Sequence, residues 1–204
     1  PSGPSAYPSD RIHSPITPWM VEHWQSMMAA NADSLTGVFM KVGDSISISQ
    51  NFLHCFAGSA LTWGAHEALS ASHGHFLETP ILGTSPFDRS SIATKGGRNA
   101  KWAIAGSPSP LEQEYTAISP RYAVVMFGTN DIGYYGDDVL NGFRIFSDAM
   151  RDLLDEMAEG GVLAMVMTIP PRTKKFSLGR WTRTATAATT TSAGLMLWAV
   201  PNAL

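Results

Sequence analysis

Apolar positions in this chain follow two periods, and each change of period marks the edge of an element. Val38, Phe39, Met40 and Val42 form an apolar run of the length expected for a buried strand, broken at once by Gly43, Asp44 and Ser45. Tyr122 to Phe127 (YAVVMF) is a second such run, ended by Gly128, Thr129, Asn130 and Asp131. Val162 to Met167 is a third, stopped by Pro170 and Pro171. Leu195 to Val200 reads as a last strand, and FLETPIL, from Phe76 to Leu82, as a weaker one.

Helical spacing fills the gaps. Thr17 and Pro18 are a cap and a first-turn proline, and Val21, Trp24, Met27 and Met28 recur behind them at helical intervals. A helix is predicted from about Ile48 to Ser70, with Phe52, Cys55, Phe56, Leu61 and Leu69 as its apolar positions. Gly83 to Lys101 is rich in Gly, Ser and Thr and predicts a long functional loop. Leu111 to Ile118 is a short helix before Pro120. The segment from Asp138 to Glu159 carries a stripe of Val139, Phe143, Phe146, Met150, Leu153, Leu154 and Met157, closed by Gly160 and Gly161.

Continuous apolar strands alternating with helices predict an α/β domain with a parallel sheet of about five strands, covered on both faces. Right-handed crossovers then bring the loops after the strands to one edge, so that Ser45, Asn130 and the loop from Arg172 to Arg180 face one another. Residues 1–14, rich in Pro and Ser, read as a linker ahead of a single domain over 15–204, and fit an exported protein.

Composition removes alternatives. The 204 residues are 44% hydrophobic and carry 14 basic and 17 acidic side chains, a net charge of −3 without the basic footprint of a nucleic-acid binder. No apolar run has the length of a membrane span. The single cysteine, Cys55, excludes an internal disulfide, and its apolar neighbours predict a packed helical thiol. His73 and His75 form an H-x-H pair with no third ligand in view, so neither a metal nor a cofactor is assigned.

A serine on a strand-to-helix turn is presented outward, with the N–H groups of the next segment ready to receive negative charge. Gly43-Asp44-Ser45 and Gly128-Thr129-Asn130-Asp131, each ending an apolar strand, together resemble the motifs of the SGNH (GDSL-type) hydrolase family. That resemblance covers about Val38 to Val200. It implies a three-layer flavodoxin-like fold and an esterase, lipase or carbohydrate deacetylase acting on small-molecule or carbohydrate acyl esters. Ser45 would be the nucleophile, and Asn130 would donate its amide to the oxyanion. Gly97 would lend a backbone N–H, with Gly96 beside it as the next match. Ser45 is followed by Ile46 and Ser47, so the G-x-S-x-G elbow of α/β-hydrolases is absent.

The family places its acid and base as D-x-x-H beyond the last strand. The sequence ends at Leu204 and has no histidine after His75, so the resemblance implies a domain lacking its last loop and helix. An inactive domain with a binding role, self-associating through an uncovered C-terminal strand, is the alternative. His54 is expected on the order of 10 Å or more along a helix from Ser45. His13, ahead of the helix that leads into the first strand, is the histidine placed to approach the correct edge, with an ordinary surface histidine as the preferred reading. Tyr134 and Tyr135 are candidates for lining an acyl or sugar pocket, against the commoner reading of loop aromatics that pack locally. A nucleotide-binding reading lacks a glycine-rich phosphate loop at the first strand.

Overall fold

The computed structural model describes residues 15–58, 61–134, 138–169 and 195–196. At its centre β1 (Leu35–Gly43) pairs in parallel with β2 (Pro120–Met126), and β2 in parallel with β3 (Leu163–Met167). A two-residue strand, β4 (Leu195–Met196), joins β3 antiparallel, so the sheet order is β1-β2-β3-β4.

Each face of this sheet is apolar because successive strand residues point to opposite sides. Val38, Met40 and Val42 of β1 and Ala123 and Val125 of β2 belong to one cluster. It also holds Leu111 and Ile118 of α4 (Pro110–Ile118) and Ala149, Met150, Leu153 and Met157 of α6 (Val139–Glu159). Phe39, Val124 and Met126 belong to a second cluster with Phe52 and Phe87. There the Phe39 ring meets Phe76 and Phe87 edge-on, with centroids 5.3 and 5.1 Å apart. All of β1 from Gly37 to Gly43 is buried, which its unbroken apolar run anticipates.

Caps set the helix starts. Thr17 accepts the Met20 N–H at 3.2 Å to open α1 (Pro18–Ala30), and Asp138 accepts the Asn141 N–H at 3.1 Å to open α6. Ser109 and Glu112 form a reciprocal capping box at α4. At the end of α1 and just past it, Arg121 of β2 donates to the carbonyls of Met28 and Ser34 at 3.2 and 3.1 Å. Asn31 donates to the Gly160 carbonyl at 2.7 Å, which ties this end of the chain to the end of α6.

The α/β domain with parallel pairing is found; of the five or so strands expected, the described residues carry three parallel ones, with β4 antiparallel. Three sequence expectations are corrected. FLETPIL is not a strand: Phe76 and Leu77 end α2 (Ser70–Leu77), and Ile81 makes an isolated bridge to Thr84. Pro80 has no N–H to give a ladder. The predicted helix over Ile48 to Ser70 is replaced by successive turns and by 3₁₀ segments at His54–Ala57 and Gly64–Leu69. Ser49 Oγ accepts the Asn51 N–H at 3.2 Å, the local side-chain bond that competes with helix, and Leu53 and Gly64 take positive φ. Cys55 is exposed on the first 3₁₀ turn rather than packed.

The strand predicted to Val200 and the loop from Arg172 to Arg180 lie, beyond Leu195–Met196, outside the described residues, as do residues 1–14. No helix among the described residues is long and apolar enough to cross a membrane.

Candidate active site

Gly43 ends β1 where no side chain fits. A Cβ there would stand 2.1 Å from Ser47 Oγ and 2.6 Å from the Met126 carbonyl oxygen. The chain therefore turns tightly against β2, and the turn splits its next residues between inside and outside. Asp44 is fully buried; its Oδ1 accepts the Ile46 N–H at 3.0 Å. Ser45 is exposed, and nothing among the described residues hydrogen-bonds its hydroxyl. Ser47 is buried with its Oγ unpartnered. Of the serines in this turn at 45 and 47, Ser45 alone is exposed.

The second motif reaches the same edge because Gly43 and Met126 are register partners in the parallel ladder. Gly128 has φ +128°, a conformation that favours glycine. Its N–H donates to Asp131 Oδ2 at 3.1 Å, and the Ala100 N–H donates to Asp131 Oδ1 at 3.0 Å. Asp131 thus clamps the turn into α5 (Thr129–Tyr134) onto the start of α3 (Ala100–Ala103). Burial pushes its carboxyl pKa up, these N–H bonds oppose that, and the neighbouring Asp44 charge adds to the rise.

Asn130 joins the pieces. Its Nδ2 donates to Asp44 Oδ2 at 3.0 Å and to the Arg98 carbonyl at 2.9 Å. The loop before Arg98 runs along β1: Gly43 N–H donates to the Ala93 carbonyl and Lys95 N–H to the Gly43 carbonyl, both at 3.1 Å. Gly96 lies beside Ser45, since a Cβ on it would stand 3.8 Å from Ser45 Cβ. Gly97 follows with φ +73°, exposed and with no atom within 4 Å of a Cβ position. Ser45, the Gly96-Gly97 turn and Asn130 therefore lie at one edge of the sheet.

The sequence reading missed what Asp44 and Asp131 do. Both stand in the two motifs, one beside each candidate residue, and that adjacency was the signal available. It also excluded His54 on a helical distance that does not apply, because no α-helix forms there. His54 Nδ1 lies 2.6 Å from Asp88 Oδ1 in a partly exposed pair. His73 stands against two members of the second apolar cluster, with Nε2 2.6 Å from the Phe56 carbonyl and its ring 5.2 Å from that of Phe87. Among the described residues no group of three His, Cys, Asp or Glu side chains is placed to hold a metal ion. Tyr134 ends α5, while Tyr135 and His13 lie outside the described residues. No family model, curated protein or solved structure matches the chain.

Proposed function

We propose that the protein is a serine ester hydrolase of SGNH type, with Ser45 as nucleophile and Asn130 and the Gly96-Gly97 turn as the oxyanion-binding side. The observation that carries this reading is the bond from Asn130 to Asp44, which holds the two motifs together beside an exposed serine. In the reaction Ser45 Oγ attacks the ester carbonyl and the carbonyl oxygen becomes an oxyanion, while the serine proton passes to a general base, the role that the SGNH pattern gives to a D-x-x-H histidine beyond the last strand, where the sequence has none. The alcohol leaves, and water releases the acid from the acyl-serine. The mixed sheet is read as part of a three-layer flavodoxin-like fold of about five strands.

An amide NH2 has two hydrogens, and Asn130 commits both, one to a buried carboxylate and one to an exposed carbonyl. The bond to Asp44 is charge-assisted and the stronger of the two. The oxyanion therefore takes the place of the Arg98 carbonyl, while Asp44 keeps the amide aimed. Neutral donors of this kind stabilise the tetrahedral intermediate without a protonation step.

Turnover of a short p-nitrophenyl ester, with mass-spectrometric mapping of a fluorophosphonate adduct, tests the proposal. The expected adduct is on Ser45. Absence of both turnover and labelling would support the alternative, a binding domain without catalysis.

Asn130→Ala is expected to lower kcat by about 10² to 10³, the size of one lost oxyanion donor. From the sequence Asn130 is a loop-mouth residue with little bearing on stability. Its bond to buried Asp44 revises that: the variant should also lose about 1–3 kcal/mol, because a buried carboxylate oxygen loses its donor. Steady-state kinetics and urea unfolding of one preparation check both effects.

A further inference from the structure

The loop that borders Ser45 is electrically one-sided. Between Asp88 and Glu112 the chain has no acid and four cations, Arg89, Lys95, Arg98 and Lys101, although the whole chain carries a net charge of −3. Arg89 is spent on buried Glu114. Lys95, Arg98 and Lys101 are exposed, and none forms an ion pair among the described residues.

None of the acids on the elements that border the loop pairs with these cations among the described residues. Asp44 accepts from Ile46 and Asn130, Asp131 from Gly128 and Ala100, and Glu112 is committed to the Ser109 capping box. Asp88 pairs with His54, and Asp138 caps α6. The backbone that carries Lys95 and Arg98 is anchored at this edge. Lys95 N–H is bonded to the Gly43 carbonyl, the open Gly96-Gly97 turn follows, and the Arg98 carbonyl rests on Asn130 until an oxyanion takes its place.

We propose that Lys95, Arg98 and Lys101 form a cationic rim that selects acyl esters bearing a negative charge, such as a free carboxylate, a few ångströms from the scissile bond. The inference rests on the hydrolase reading for its site and adds the charge class of the substrate. A substrate anion at this rim gains about threefold per cation for charges about 6 Å apart in water. Two such cations therefore supply about tenfold. Exposed side chains need no desolvation to do this, and electrostatic complementarity of this sort acts mainly on specificity and encounter rate.

The test compares p-nitrophenyl valerate with the p-nitrophenyl monoester of glutaric acid, which match in chain length and differ in charge. For Lys95→Gln/Arg98→Gln the ratio of kcat/KM, charged over neutral ester, is expected to fall about tenfold from wild type. In wild type the same ratio should fall as ionic strength rises from about 0.01 to 1 M, where the Debye length shrinks from about 30 to about 3 Å. A ratio unmoved by both the substitutions and salt overturns the cationic rim and leaves the hydrolase reading standing. If neither ester is turned over, calorimetry with the p-nitroanilides of the same two acids carries the test. Tighter binding of the charged anilide to wild type than to the double variant supports the rim and overturns only the hydrolase reading; equal binding overturns the rim.

Discussion

Ser45→Ala is expected to lower kcat for ester hydrolysis by up to about 10⁶, the scale on which a serine enzyme with its base in place depends on its nucleophile, leaving only the acceleration that binding and the oxyanion side supply. The paired control is Ser47→Ala, two residues on. Ser45 is exposed with its hydroxyl unengaged, whereas Ser47 is buried over Gly43 with an unpartnered Oγ. Removing a buried hydroxyl that bonds nothing leaves no donor or acceptor stranded, so Ser47→Ala should be near neutral in stability and retain turnover. Loss of activity in Ser47→Ala with retention in Ser45→Ala would move the nucleophile and refute the site. The read-out is p-nitrophenolate release, with circular dichroism to show that both variants are folded.

Glu114→Ala is expected to destabilise the fold more than Asn130→Ala does, by about 3–5 kcal/mol, because it breaks a buried ion pair from one side. Glu114 is fully buried on α4. It receives both terminal nitrogens of Arg89, one of them (Nη2) at 3.1 Å from Oε2, and the Ile92 N–H at 2.8 Å. Alanine would leave a largely buried guanidinium without a counter-charge and the Ile92 N–H without an acceptor. For a chain of this length that corresponds to a fall of roughly 10 °C in melting temperature. The loss should reach the site, since Ile92 leads directly into the Ala93 to Lys95 stretch that holds Gly43. Arg89→Met combined with Glu114→Leu should recover much of the stability, as replacing a whole buried pair by apolar side chains often does. A melting temperature of Glu114→Ala within about 2 °C of wild type would show the pair to be dispensable.

How far the sequence could be read depended on whether a signal was local. The strand at Val38, the strand at Tyr122 and the helix after Asp138 announced themselves because burial on both faces requires unbroken apolar runs, and burial on one face requires a helical stripe. Ile48 to Ser70 misled for the same reason in reverse. Its apolar residues do reach the core, since Phe52 is buried, but they arrive from turns rather than from a helix face. Spacing alone could not distinguish the two, and the serines, Asn51 and the glycines that favour turns were outweighed.

By itself the sequence determined that Ser45 and Asn130 each end an apolar strand, which parallel pairing turns into a shared edge. What only the tertiary structure decided is how that edge is held. The Asp44 to Asn130 bond spans 86 positions of chain, the clamp from Asp131 to Ala100 spans 31, and the grip of Glu114 on Arg89 spans 25. Each is a polar contact between segments brought together by packing, and none has a period or a spacing to betray it. The side of the turn on which a serine falls is of the same kind. Gly43 must pass so close to Met126 and Ser47 that Asp44 and Ser47 are driven inward and Ser45 is left outside.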